Sequence, residues 1–263
     1  METPRNPLLT VGRISLTVAG IHRDPIACDR DSSPTSRKVH KLWTLPGYGS
    51  TDVQYCGCLA ADKKLAVLRR WTREFLTSPH PDLGREGEVC PFMRGSLRQD
   101  LTKYISLHID SDGESFARLV RHLRTRFRRD TQRPAGAHLT YLLIPHGRPE
   151  VELISMVANV QARLKSEFVK HGLMLGEFFP GNPTGGLHSA HFRPLAAPVP
   201  LLAIRRMVAS DLSFLVADHV PPAQRLYFLG CYRETFKGRL KAVWAERLDA
   251  AEKAQRRAAG ADA

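Results

Sequence analysis

Between residues 101 and 208 the apolar pattern switches back and forth between two periods, and this restricts the fold more than any other feature of the chain. LTKYISLHI (101–109) alternates apolar and polar positions as a half-buried strand does. SFARLVRHLRTRF follows with Phe116, Leu119, Val120, Leu123 and Phe127 recurring at three and four, one side of a helix. HLTYLLIP (138–145) reads as a buried strand closed by Pro145. The next helix, VELISMVANVQARLKSEFVKHG, carries Val151, Ile154, Val157, Val160, Leu164 and Phe168 on one stripe, with Gly172 where a C-terminal capping glycine belongs. GLMLGEFF (172–179) and PVPLLAIRRMV (198–208) are two further strands. Strand, helix, strand, helix, strand, strand, helix implies an α+β domain with a mixed β-sheet flanked by helices.

The flanks set the boundaries. From Asp62 to Thr77, Leu65, Leu68, Trp71, Thr72, Phe75 and Leu76 share a helix face, and Ser78-Pro79 ends it. Ser210 is placed as the N-cap of a short helix, ASDLSFL. Pro221 and Pro222 open a last helix through Leu226, Leu229, Phe236, Leu240 and Trp244. In residues 22–60, RDSSPTSRK and LPGYGS break any period. Three parts are therefore expected: a flexible N-terminal segment (1–61), a core domain (62–248) and a disordered basic, Ala-rich tail (249–263).

No apolar run approaches the roughly 18 residues of a membrane span, and the opening residues have no basic region followed by an apolar one, so a cytoplasmic protein is expected. Five cysteines form an odd set in a chain too large to need disulfides, which suggests reduced thiols. Cys56-Gly57-Cys58 has one intervening residue and no second pair, against the usual zinc spacing. A net charge of +13 favours anionic partners. The segment 118–133 holds seven arginines and one aspartate, with Arg118, Arg121, Arg124 or Thr125, and Arg128 forming a ridge opposite the apolar face. Without interleaved aromatics or a groove-reading motif, this is a solvated helix face rather than a nucleic-acid surface.

Chemistry concentrates in two places. In HPDLGREGEVCPFMRGSL (80–97), Cys90 has three readings: a small buried side chain, a nucleophile served by one of several histidines, or a thiolate ligand of haem iron. Pro91 favours the third, since it deletes an N–H that could weaken the sulfur as a donor and holds Cys90 extended. In 171–211, a strand carries His171, Met174 and Glu177 toward a Gly-rich loop with His188 and His191, and Arg193, Arg205 and Arg206 follow. Arg193 and Arg205 either pair with Glu177 or another carboxylate, or take haem propionates or a substrate carboxylate. Most such histidines are structural; His171, at a helix end before Gly172, is the first to test.

HPDLGREGEVCPF, GLMLGEFF and FRPLAAPVPLLAIRRMVASDLSFL together resemble, over residues 62–217, an uncharacterised bacterial domain family found near natural-product biosynthesis genes. That family is distantly similar to the YqcI/YcgG group, some of whose members are haem-dependent N-oxygenases acting on arginine or related amino acids. The resemblance implies Cys90 at the Cys-Pro position, Gly172, Gly176 and Glu177 in the later strand, and Arg193, Pro194 and Arg205 in the return. It further implies a haem oxygenase with Cys90 as axial thiolate, His80 or His171 as the alternative ligand, and Arg193 and Arg205 on propionates or substrate carboxylate. Glu177 would then anchor an amine or guanidine, or relay protons. Phe179 stands where a histidine is common, and LAAPVP where a charge is usual; the first departure points to altered or lost activity. The other expectation is a non-catalytic accessory protein that binds a small molecule or a partner. Expected partners are an amino acid or other carboxylate and, in a homodimer, a second copy of the chain; neither membrane nor nucleic acid is expected.

Overall fold

The computed structural model describes residues 14–19, 59–109, 113–132, 134–218 and 220–261. The strands are β1 (Ile14–Ala19), β2 (Thr102–Ile109), β3 (Thr140–His146), β4 (Leu173–Phe178) and β5 (Leu201–Arg206). The helices are α1 (Leu59–Glu74), α2 (Pro91–Arg98), α3 (Gly113–Asp130), α4 (Glu150–Val169), α5 (Leu212–Leu215), α6 (Pro222–Thr235) and α7 (Ala242–Ala261). The strands make one mixed sheet in the order β1-β2-β3-β5-β4, parallel between β2 and β3 and antiparallel elsewhere. The α+β architecture with a mixed sheet is the one the pattern predicts.

Helices α3 and α4 cover one face. Phe116, Leu119, Val120, Leu123 and Phe127 pack with Val157, Val160, Leu164 and Phe168 over Leu107, Leu143, Leu175, Leu202 and Ile204. Each fully buried side chain of this size contributes roughly 1.5–3 kcal/mol, so the two predicted stripes supply most of the reason this half folds. The α4 stripe starts at Leu153 rather than Val151, which is exposed. The arginine ridge of α3 is largely engaged: Arg121 and Arg124 donate to Glu167 of α4 at 3.0 and 2.7 Å, and Arg163 of α4 pairs with Glu114 of α3.

Helix α1 covers the opposite face, where Leu65, Leu68 and Trp71 meet Tyr104, Leu142, Ile144 and Leu201. Here β2 departs from the expected half-buried alternation. Both of its faces are covered, because Thr72 of α1 hydrogen-bonds the Tyr104 hydroxyl at 2.7 Å and brings the polar-looking side under the helix. A third cluster joins α5, α6 and α7 to the start of β4 through Val169, Met207, Phe228, Tyr232 and Leu248.

Three boundaries differ from expectation. The segment 1–61, read as flexible, contains β1, which pairs along the outer edge of β2. The last helix is two, because Gly238 takes φ +69° between α6 and α7. The boundary placed at 248/249 then falls inside α7, whose Leu248 is buried and whose Asp249 and Glu252 hold Arg233 at 2.7 and 3.0 Å. A continuous helix therefore runs through residues expected to be a disordered tail. Ser210 is not the cap: Asp211 accepts the Val208 N–H at 2.8 Å instead.

Candidate functional site

The loop between α1 and α2 is built by short-range bonds. Val89 donates to the Ser78 carbonyl at 3.0 Å and Cys90 to that of Leu76 at 2.8 Å, so the two ends of the loop run together. Arg85 fills it, donating to the carbonyls of Glu86 and Glu88, both at 2.8 Å. Leu83 anchors it in the core. Gly84, at φ +73°, lies so close to the later loop that a Cβ there would stand 2.4 Å from the His188 carbonyl oxygen. His80 caps the turn at Pro81–Leu83, accepting the Asp82 N–H at 3.2 Å, and its ring lies 4.7 Å from that of Phe192 and 6.0 Å from that of Phe75. His80 is thereby a joint between two loops.

Cys90 is half-buried and is the N-cap residue of α2, held extended at φ −128° and ψ 96°, as a residue before proline should be. Its side chain takes no capping hydrogen bond. Arg205 comes from β5 toward the same place: it is near enough to Cys90 for the two to interact, and its guanidinium lies 5.4 Å from the Phe92 ring centroid. Burial works against the charge of Arg205, but Asp211 outweighs it and, with a smaller push from Cys90, holds the guanidinium pKa above its ordinary value. Asp211 is 1% exposed and binds both terminal nitrogens, at 2.7 and 2.6 Å.

Of the residues expected to share one site, the structure brings Cys90 and Arg205 together, keeps His80 in the Cys90 loop, and places Glu177, His171 and Arg193 elsewhere. Glu177 stands opposite Leu202 in the β4–β5 register, and Leu202 belongs to the α3–α4 core. Arg205 has the other parity and points to the α1–α2 side, as Ala203 does. The sheet thus lies between Glu177 and Arg205. On its own face Glu177 has Lys165 of α4 as its charged neighbour: burial raises the carboxyl pKa, and the ammonium lowers it in part. His171, in the α4–β4 turn, faces Arg128, Arg124 and Lys170, and burial followed by these cations lowers its pKa. Arg193 is exposed and donates to the carbonyls of Ala190 and Phe192 in its own loop. The expected pairing of Arg193 with Arg205 is therefore absent, and Arg205 has a carboxylate already.

Two features escaped the sequence reading. Asp211 was passed over for its neighbour Ser210. His108 and His146, register partners at the ends of β2 and β3 with rings 5.3 Å apart, were not singled out at all. Their signal was available: "SLHI" and "IPHG" place a histidine at the close of two successive strands.

A thiolate ligand to haem iron fits the donor at Cys90, whose sulfur is free of helix N–H bonds and sits at the positive end of α2 beside a fixed guanidinium. The propionate and acid roles do not fit Arg193, Arg205, His171 or Glu177 as placed. His80, with its Nδ1 engaged by Asp82, is part of the loop scaffold. Cys56 and Cys58 lie outside the described residues. Among the described residues no group of three or more histidine, cysteine or acidic side chains is arranged to hold a metal ion, and no helix is long and apolar enough to cross a membrane. No curated protein and no solved structure matches the chain. A family model does match, over residues 65–247, so the chain belongs to the family described as a domain of unknown function, DUF6875.

Proposed function

We propose that this domain is a haem-dependent oxygenase of natural-product or amino-acid metabolism, working in the cytoplasm, that hydroxylates nitrogen in an amino acid, amine or guanidine. The observation that carries it is Cys90: half-buried, extended before Pro91, without a hydrogen bond to its sulfur from α2, and close to Arg205. A sulfur with few N–H donors is the stronger ligand to iron. Bound haem would supply the oxygen chemistry. The chain's own contribution is to aim the sulfur through the Cys90-Pro91 backbone and to offset its charge with Arg205, which Asp211 keeps in place.

Absorption spectra of the purified full chain, before and after reconstitution with haemin, test this. Stoichiometric uptake with a Soret band, and a ferrous carbon-monoxide complex whose band moves in Cys90→Ala, are expected. A chain that takes up no haem, or a Cys90→Ala spectrum identical to that of wild type, overturns it.

A second reading, a non-catalytic protein that binds a small carboxylate or a partner, is favoured by the sheet lying between Glu177 and Arg205. It predicts haem-free protein with undiminished biological output in Cys90→Ala.

A further inference from the structure

The β2–β3 pair has a second end. Thr102 and Thr140 begin the two strands next to α2, joined through Ser96 at 2.8 and 3.2 Å, and His108 and His146 close them about 20 Å away. The carboxyl ends of parallel strands are where open α/β sheets place their ligands.

What gathers there is basic and comes from three elements. The Thr72–Tyr104 hydrogen bond fixes α1 against β2. Two helical turns back from Thr72, about 12 Å, is Lys64; four residues on from Tyr104, about 13 Å, is His108. Lys64 therefore arrives over the paired histidines, and it acts on the charge of His146. Leu68 packs between the two ends, in the same cluster as Tyr104 and Ile144.

Two further observations mark the place. Ser106 is on the same side of β2, one pleat before His108; it is 6% exposed and its hydroxyl has no hydrogen-bond partner among the described residues. Burying an unpaired hydroxyl costs stability, and a bound group that hydrogen-bonds it would recover that cost. Gly147, at φ +97°, provides the seat of the His108 ring, since a Cβ there would stand 2.3 Å from Cδ2. His108 and Lys64 both act on His146.

We propose that Lys64, Ser106, His108 and His146 form a binding site for the oxyanion group, phosphate or carboxylate, of a small molecule. Lys64 supplies the charge, the His108 imidazole supplies a directed N–H donor with His146 as its neighbour, and the Ser106 hydroxyl gains a partner. The site lies at the opposite end of the strands from Cys90 and does not depend on haem.

Calorimetric titration of the full chain with inorganic phosphate and, separately, with oxalate tests the site. One of the two probes should saturate at one per chain, and Lys64→Met and His108→Gln should each weaken it at least tenfold. Lys237→Met, an exposed cation in the α6–α7 turn, should bind as wild type does. Saturation by phosphate assigns a phosphorylated ligand, and saturation by oxalate a carboxylate. Neither probe saturating by about 10 mM, or Lys237→Met losing as much as Lys64→Met, overturns the proposal.

Discussion

Asp211 closes on both terminal nitrogens of Arg205 while also accepting the Val208 N–H, so one buried carboxylate ties the end of β5 to the turn that follows it. Removing one partner of such a pair leaves a buried charge uncompensated, typically at 3–5 kcal/mol. Asp211→Asn should therefore lower unfolding stability by about 3 kcal/mol in urea titration with the slope unchanged. A loss under about 1 kcal/mol would show that Arg205 finds another partner and is free for a ligand.

Gly84 is required twice, for its positive φ and for its approach to His188. Gly84→Ala should cost about 2 kcal/mol, visible as a lower melting temperature. It should also raise the rate at which Cys90 is alkylated by a maleimide, because the loop that leads into Cys90 loses its seat against His188. Unchanged alkylation would separate the loop contact from the thiol.

His146 is 4% exposed and its pKa is pushed down to about 4, first by burial and then by His108 and Lys64. In the unfolded chain it titrates near 6.5. Above about pH 6.5 both states are neutral and nothing is lost. Between about 6.5 and 4 the unfolded chain takes up a proton that the native state refuses, so stability falls with falling pH, by about 3 kcal/mol in all. His122 and His171 shift in the same direction, so the comparison must be made with a variant. His146→Gln should show a flatter stability curve between pH 7 and pH 4.5 than wild type; parallel curves refute the assignment.

Burial raises the Glu177 carboxyl pKa, and Lys165 opposes that rise. Lys165→Met should move the Glu177 titration, followed by carbon NMR of its carboxyl, further up. The sign extends to folding: a carboxyl whose native pKa is raised favours the native state at low pH, and that contribution is lost as pH rises through the native value. No movement in Lys165→Met would mean that the two side chains do not sense each other.

Ser106→Ala should stabilise the ligand-free chain by about 1 kcal/mol in thermal or urea unfolding, since it removes a buried hydroxyl without a partner. A destabilised variant would indicate that the hydroxyl is bonded in solution.

The core was legible because its signals are local. The stripes of α3 and α4 and the apolar run of β3 are properties of consecutive residues, and burial followed them. The site was less legible because it depends on parity between strands. Glu177 and Arg205 each sit in a readable strand, but only the pairing of Glu177 with Leu202 and of Met174 with Arg205 decides that they face opposite ways, and a slip of one residue would reverse it. The α3 ridge is visible in the sequence, yet its partner Glu167 lies 46 residues from Arg121, beyond any local pattern. The break at Gly238 was missed because apolar residues on both sides continue at helical spacing.

The contact between Gly84 and His188 also orders events in time. The Cys90 loop leaves the ribosome before the loop that packs on it, and roughly a hundred residues before Arg205. In that interval its thiol stands unsheltered beside a growing chain. Reaction of nascent chains with oxidants or electrophiles at Cys90 should therefore be faster before β5 docks than after.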